Sequence, residues 1–313
     1  MFIQQVFKYK YDFWRYLLGV FIIIIAVFVG QIPLGLAILL EGGYEMVNMT
    51  QTQMLQLLDS NLSLFLILLS FAAGLAALFF VVKFIHNQTI KSVTTSRKKI
   101  DWGRFFFAFG LVAVFAVGVT LVDYFTNPQD YVINFQTKPF FIMLVIAVVM
   151  IPLQTSFEEY LFRGYLMQGI GALVKNRWFP LIITSLVFGG LHFFNPEVTK
   201  LGNIIMIYYL GTGFLLGIMT LMDDGLELAL GFHAGNNLIT AVLVTADWTA
   251  FQTNSILKDI SDPSAGLDVL VPVLVVYPIF LFIMAKKYGW KDWGHRLFGK
   301  VEKPDMLKNI EEI

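Results

Sequence analysis

The chain contains no cysteine. That excludes disulfides, thiolate metal centres and a cysteine nucleophile, and it leaves the redox compartment open. Charge is scarce as well. Only 14% of the 313 residues are charged, against about 25% in soluble domains. The 22 basic and 22 acidic residues cancel, so nothing in the net charge suggests a nucleic-acid partner. Histidine occurs four times. No secretory signal is evident, because the first apolar run is too long for a signal h-region and no A-x-A site follows it. Internal repeats, low-complexity tracts and a soluble domain are also missing.

What is present is apolar: 57% of the residues are hydrophobic. A membrane helix needs about 20 mostly apolar residues, and eight stretches qualify. They are Phe13–Leu40, Leu62–Ile85, Phe105–Tyr124, Pro139–Leu166, Trp178–Phe193, Ile204–Met222, Leu226–Ala246 and Leu267–Lys286. The expected fold is therefore all-α, a polytopic membrane bundle of about eight transmembrane helices. It divides into N-terminal helices (1–135), a core (136–250), and a last helix with a charged tail (251–313). Pro152 inside the fourth stretch predicts a kink. With the N-terminus inside, 19 of the 22 Lys and Arg fall on the cytoplasmic side, so both termini are expected there. The run Arg97-Lys98-Lys99 then reads as a topology anchor.

Three polar stretches interrupt this pattern. The first is Ser156-Phe157-Glu158-Glu159-Tyr160-Leu161-Phe162-Arg163, directly after an apolar run. An ionisable group at membrane depth costs about 2.5–3.5 kcal/mol on insertion scales, which marks it as a candidate for function. Glu159 and Arg163 are spaced i,i+4 in the order that favours an ion pair. Glu158 points to a different face, because each residue advances about 100° around a helix. It is left free to accept a proton. The second stretch ends in Phe188-Gly189-Gly190-Leu191-His192. A hairpin turning at Lys175-Asn176-Arg177 sets His192 level with Glu158. The third holds His233 and Asn237, i,i+4 on one helix face.

Two chemistries follow from this set. A carboxylate and an imidazole can deprotonate water while a second imidazole and an amide stabilise an oxyanion. Alternatively, Glu158, His192 and His233 can serve as three zinc ligands with an open position. Both hydrolyse an acyl bond without a serine or cysteine nucleophile. The bland alternatives are helix-packing histidines, interfacial glutamates and glycines (Gly189, Gly190, Gly211, Gly213, Gly217) that allow close approach. Phe188 reads more simply as core. His86 and His295, at helix ends or in tails, read as having no role in function.

Taken in order, Glu158-Glu159-x-x-x-Arg163, Phe188-x-x-x-His192 and His233-x-x-x-Asn237 resemble the CPBP (Abi) family. It comprises the type II CAAX prenyl endopeptidases and bacterial relatives in bacteriocin processing or self-immunity. The resemblance covers residues 139–245. It implies an intramembrane endopeptidase in which Glu158 activates water with His192. His233 and Asn237 would form the oxyanion site, and Glu159, Arg163 and Phe188 would support it. The family is often labelled a metalloprotease although its mechanism looks glutamate-type, so the cofactor is either none or a divalent metal such as zinc. The implied partners are the lipid bilayer and a peptide or protein substrate in or at the membrane. The implied location is the cytoplasmic membrane of a bacterium. A catalytically silent scaffold or immunity protein of the same fold is the first alternative. A proton-coupled transporter is the second, although the inverted repeats expected of one are not seen.

Overall fold

The structure is a computed structural model that describes residues 1–263, 266 and 269–304. Its major helices are α1 (Phe13–Gly42), α2 (Ser60–Phe80), α3 (Trp102–Thr126), α4 (Thr137–Glu159), α5 (Met167–Val174), α6 (Trp178–Leu191), α7 (Met206–Asp223), α8 (Glu227–Leu243), α9 (Tyr277–Tyr288) and α10 (Trp293–Phe298). The starts have local causes. Asp59 caps α2 by accepting from the Asn61 and Leu62 amides, and Asp101 caps α3 through the Gly103 amide. These bonds satisfy donors that a helix start leaves orphaned. The stops use left-handed backbone: Lys175 ends α5 at φ 56° and Asp224 ends α7 at φ 55°.

The stretches expected to span are largely helical, yet five helices among the described residues are long and apolar enough to cross a bilayer. These are Phe13–Asn48, Ser60–Ile85, Trp102–Thr126, Thr137–Val174 and Asn203–Asp223. The protein is an integral membrane protein built as a helical bundle. The shortfall from eight has a physical cause. α6 stops after 14 residues, where His192 and then Asn195-Pro196 break the pattern, and α8 has 17 residues. The expected start of the last stretch, Leu267, and the tail residue Lys308 lie outside the described residues. Pro152 sits within continuous α-helix. The irregularity comes later, as a π-helical turn at Tyr160–Leu166 that joins α4 to α5.

The two ends of the bundle differ. At one end the N-terminus, the 95–104 loop, the α7–α8 turn and the C-terminal segment interlock. The Phe2 amide donates to Asp224 Oδ1 at 2.9 Å, and Arg296 pairs with the same carboxylate. Arg97 pairs with Asp223 at 2.8 Å and with Glu227 at 3.1 Å, while Arg104 also reaches Asp223. Trp290 Nε1 donates to Asp223 Oδ1 at 3.0 Å. The opposite end carries a feature that the sequence reading did not expect. Three short strands, β1 (Tyr131–Ile133), β2 (Val244–Ala246) and β3 (Leu257–Asp259), form a sheet ordered β1-β3-β2. β1 pairs antiparallel and β2 parallel to β3. The sheet fastens the chain after α8 to the chain before α4.

α8 is the central element. It packs along α3, where Gly231 lies against the Phe105 carbonyl and a Cβ on Gly235 would sit 2.9 Å from the Phe109 carbonyl oxygen. Its other side faces α4. α7 and α6 close in the same way, since a Cβ on Gly213 would meet the Ser185 carbonyl oxygen at 2.7 Å. Gly190 differs, because nothing lies within 4 Å of a Cβ there. Its small size is not needed for packing, contrary to the close-approach reading.

Candidate active site

α4 and α8 run antiparallel, and two polar rungs join them one helical turn apart. Asn237 Nδ2 donates to Gln154 Oε1 at 3.2 Å. One turn along, His233 Nε2 lies 3.5 Å from Glu158 Oε2. Both rungs follow from i,i+4 spacing on each helix, which stacks 154 above 158 and 237 above 233. His233 lies six residues into α8 from Glu227, about 9 Å of rise. The centre therefore sits within the bundle, nearer the interlocked end.

The two glutamates differ as expected. Glu159 is fully buried and accepts from Arg163 Nη1 at 2.9 Å, and Arg163 is itself fully buried. Arg163 Nη2 donates to the Gly213 carbonyl at 2.9 Å. Its guanidinium carbon stands 4.3 Å from the Phe188 ring centre, a cation–π distance. The π-helical turn begins directly after Glu159, and such turns frequently occur at functional sites.

Glu158 is not as isolated as the spacing suggests. His233 lies between the glutamates, with Nδ1 2.8 Å from Glu159 Oε1. A carboxylate paired with arginine accepts only, so Nδ1 carries the proton. In neutral His233, Nε2 then presents a lone pair towards Glu158. Glu158 Oε2 is buried and has no hydrogen-bond partner among the described residues. At 3.5 Å from a second acceptor, it has the geometry that one donor group shared by both satisfies.

His192 follows α6, with Nδ1 donating to the Phe188 carbonyl at 2.8 Å. Its ring stacks on Tyr209 at 4.4 Å and 25°. No hydrogen bond or ion pair joins it to Glu158 among the described residues. The imidazole in contact with Glu158 is His233, because α4 and α8 face each other directly. The hairpin arithmetic located the turn correctly, but level is not contact. Phe188 is more than core: its ring meets the rings of both His192, at 4.9 Å, and His233, at 5.9 Å. His86 is also structural rather than peripheral. It is fully buried, with Nδ1 on the Lys10 carbonyl at 2.6 Å and Nε2 accepting from Tyr165 at 2.9 Å.

The zinc alternative can be tested on the donor set. Among the described residues, no group of three or more His, Asp or Glu side chains is arranged to hold a metal ion. His233, its Nδ1 on Glu159, keeps Nε2 facing Glu158 as a ligating histidine would, but His192 is stacked on Tyr209 and makes no hydrogen bond or ion pair with either among the described residues. Glu158, His192 and His233 do not fit a three-ligand zinc site in this arrangement.

Two residues of the site escaped the sequence reading. Gln154 carried a signal, being a lone amide four residues before Glu158 in an apolar helix. Tyr209 carried none, because aromatic residues are common in this chain. Two surface hollows lie elsewhere. One runs along Val114–Thr126 on α3, and the other is between the 55–67 and 247–252 segments. Neither includes a site residue.

Comparisons with known proteins point to the same segment. The family described as "Type II CAAX prenyl endopeptidase Rce1-like" matches residues 137–239, the segment that holds Gln154, both glutamates, Arg163, both site histidines and Asn237. A Bacillus subtilis (strain 168) protein, described as "Uncharacterized protein YyaK", is 32% identical over 237 residues. The aligned region covers 74% of this chain and 78% of that relative. The chain belongs to the Rce1-like family. This is a family of CAAX-protease-type intramembrane endopeptidases, which fits a buried carboxylate–imidazole pair inside apolar helices. No solved structure matches the chain.

Proposed function

We propose that the protein is an intramembrane endopeptidase whose Glu158 activates water for hydrolysis of a peptide bond. One observation carries this reading: a buried, unpartnered carboxylate oxygen 3.5 Å from an imidazole nitrogen. A water molecule donating to both Glu158 and His233 Nε2 is polarised on both O–H bonds. Glu158 takes one proton while the water oxygen bonds to the scissile carbonyl carbon. The carbonyl oxygen becomes an oxyanion. Asn237 Nδ2 has a second hydrogen to donate to it, since only one is used on Gln154. Collapse breaks the C–N bond, and the proton held by Glu158 passes to the leaving amine. His192, its Nδ1 fixed on a carbonyl, offers Nε2 as an acceptor to the N–H of that amine.

In this assignment His233 replaces His192 as the partner of Glu158. Glu159 and Arg163 hold the His233 tautomer, and Phe188 packs against both imidazoles. The substrate class is a membrane-associated peptide, either a prenylated CAAX-type C-terminus or a leader peptide. The Lys and Arg asymmetry supports a bacterial cytoplasmic-membrane location with both ends inside, and a cavity entered from that side. Purified protein, challenged with a peptide library beside Glu158→Ala, tests the reading. Cleavage by the wild type and none by the variant is expected. Equal cleavage by both removes Glu158 as the base, and no cleavage by either favours a silent scaffold or immunity protein of this fold.

A further inference from the structure

Gln154 has no role in any reading so far, yet its position is unusual. It lies in α4 and is 4% exposed. A primary amide buried in an apolar helix is costly unless its polar atoms are used. Its Oε1 is used, accepting from Asn237 Nδ2 at 3.2 Å. Its Nε2 has no protein acceptor among the described residues, and it is not one of the sealed, unpartnered atoms of the interior. Two donor hydrogens are therefore left without a protein acceptor among the described residues, one turn along α4 from Glu158.

Asn237 is oriented from both sides. Its Oδ1 accepts from Asn236 Nδ2 at 3.1 Å, and its Nδ2 donates to Gln154. That fixes which end of the amide carries the hydrogens, and with it the direction of the remaining N–H. Gln154 sits one turn from Glu158 on the same helix face and is hydrogen-bonded to Asn237. Two neighbouring amides with N–H groups to spare, next to a water-activating carboxylate, are the parts from which an oxyanion site is made.

We propose that Gln154 is a catalytic residue whose side-chain Nε2 donates, together with Asn237, to the oxyanion formed when water adds to the scissile carbonyl. No bond to Gln154 forms or breaks. Its contribution is a hydrogen bond that strengthens as negative charge develops, and therefore acts on the transition state rather than on substrate binding. The inference rests on the endopeptidase reading.

Two variants separate donation from support of Asn237. Gln154→Met has similar length and removes both the acceptor and the donors. Gln154→Glu is isosteric, keeps an acceptor oxygen for Asn237 and, once ionised, has no donor, so its rate is read at the high-pH plateau of its pH profile. Each is measured with a peptide that the wild type cleaves, and with its phosphinate analogue, which mimics the tetrahedral oxyanion. Loss of one oxyanion donor typically lowers kcat by about 10²–10³-fold. The expected result is a fall of that order in kcat for both variants, KM within about threefold, and phosphinate affinity falling in parallel with kcat/KM. Should Gln154→Met fail to fold, Gln154→Glu carries the test alone. If Gln154→Glu cleaves at the wild-type rate, Gln154 only supports Asn237 and the proposal is wrong. A loss confined to KM, with phosphinate affinity unchanged, also overturns it. Glu158→Gln, run alongside, keeps the two ideas apart. If Glu158→Gln stays active, the underlying mechanism fails. If it is inactive while both Gln154 variants are unaffected, only the role of Gln154 fails.

Discussion

At the residue scale, the adjacent glutamates have opposite environments, and their substitutions should separate function from folding. Glu159 is enclosed with Arg163 at zero exposure and bonded to His233. Removing one member of a buried pair leaves an uncompensated charge and costs about 3–5 kcal/mol. Arg163→Met should therefore lower the thermal unfolding midpoint in detergent sharply and reduce the yield of folded protein. Glu158 has a single 3.5 Å neighbour and a bare oxygen. Glu158→Gln should unfold within a few degrees of the wild type while cleavage is lost. A Glu158→Gln protein that unfolds as early as Arg163→Met would instead make Glu158 a structural group.

At the element scale, the centre depends on how closely α8 approaches α3 and α4. Gly231 has the Phe105 carbonyl where a Cβ would stand. Gly231→Ala must push α8 away from α3 and so disturb the Glu158–His233 distance. Reduced stability and reduced cleavage together are the expected outcome. Gly190 is the control, because a Cβ there meets nothing within 4 Å. Gly190→Ala should be neutral or stabilising by up to about 1 kcal/mol, the usual gain of alanine over glycine in a helix. Equal losses from both substitutions, measured by thermal unfolding, would mean that packing against α3 is not what Gly231 provides.

At the scale of the whole molecule, the protein has one interlocked end and one end capped by a small sheet. Asp223 is the hub of the first, joined to Arg97, Arg104 and Trp290. Asp223→Ala leaves both arginines without that partner. Limited proteolysis should then cut the 95–104 loop faster than in the wild type, while unchanged cutting would show that the remaining contacts suffice. Orientation is testable because the chain has no cysteine. Asn48→Cys and Gln129→Cys should react with a membrane-impermeant thiol reagent added to intact cells, whereas Lys98→Cys should react only in inverted vesicles. The reverse pattern would turn the molecule over.

The sequence alone determined what depends on composition and on spacing within one helix. Low charge and long apolar runs dictate a membrane bundle. The i,i+4 rule pairs Glu159 with Arg163, and the polar residues at 175–177 mark the hairpin turn. These are local matters, because one helix's geometry fixes them. Contact between helices was not legible in the same way. That His233 rather than His192 meets Glu158, that Gln154 joins Asn237, and that Phe188 touches both imidazoles all depend on how α4, α6 and α8 are rotated about their axes. Spacing within a helix does not set that rotation. The close approaches at Gly231, Gly235 and Gly213 do. The three-stranded sheet escaped for a related reason: each strand has three residues, too few for a period to show, and pairing exists only once α4 and α8 have brought their ends together.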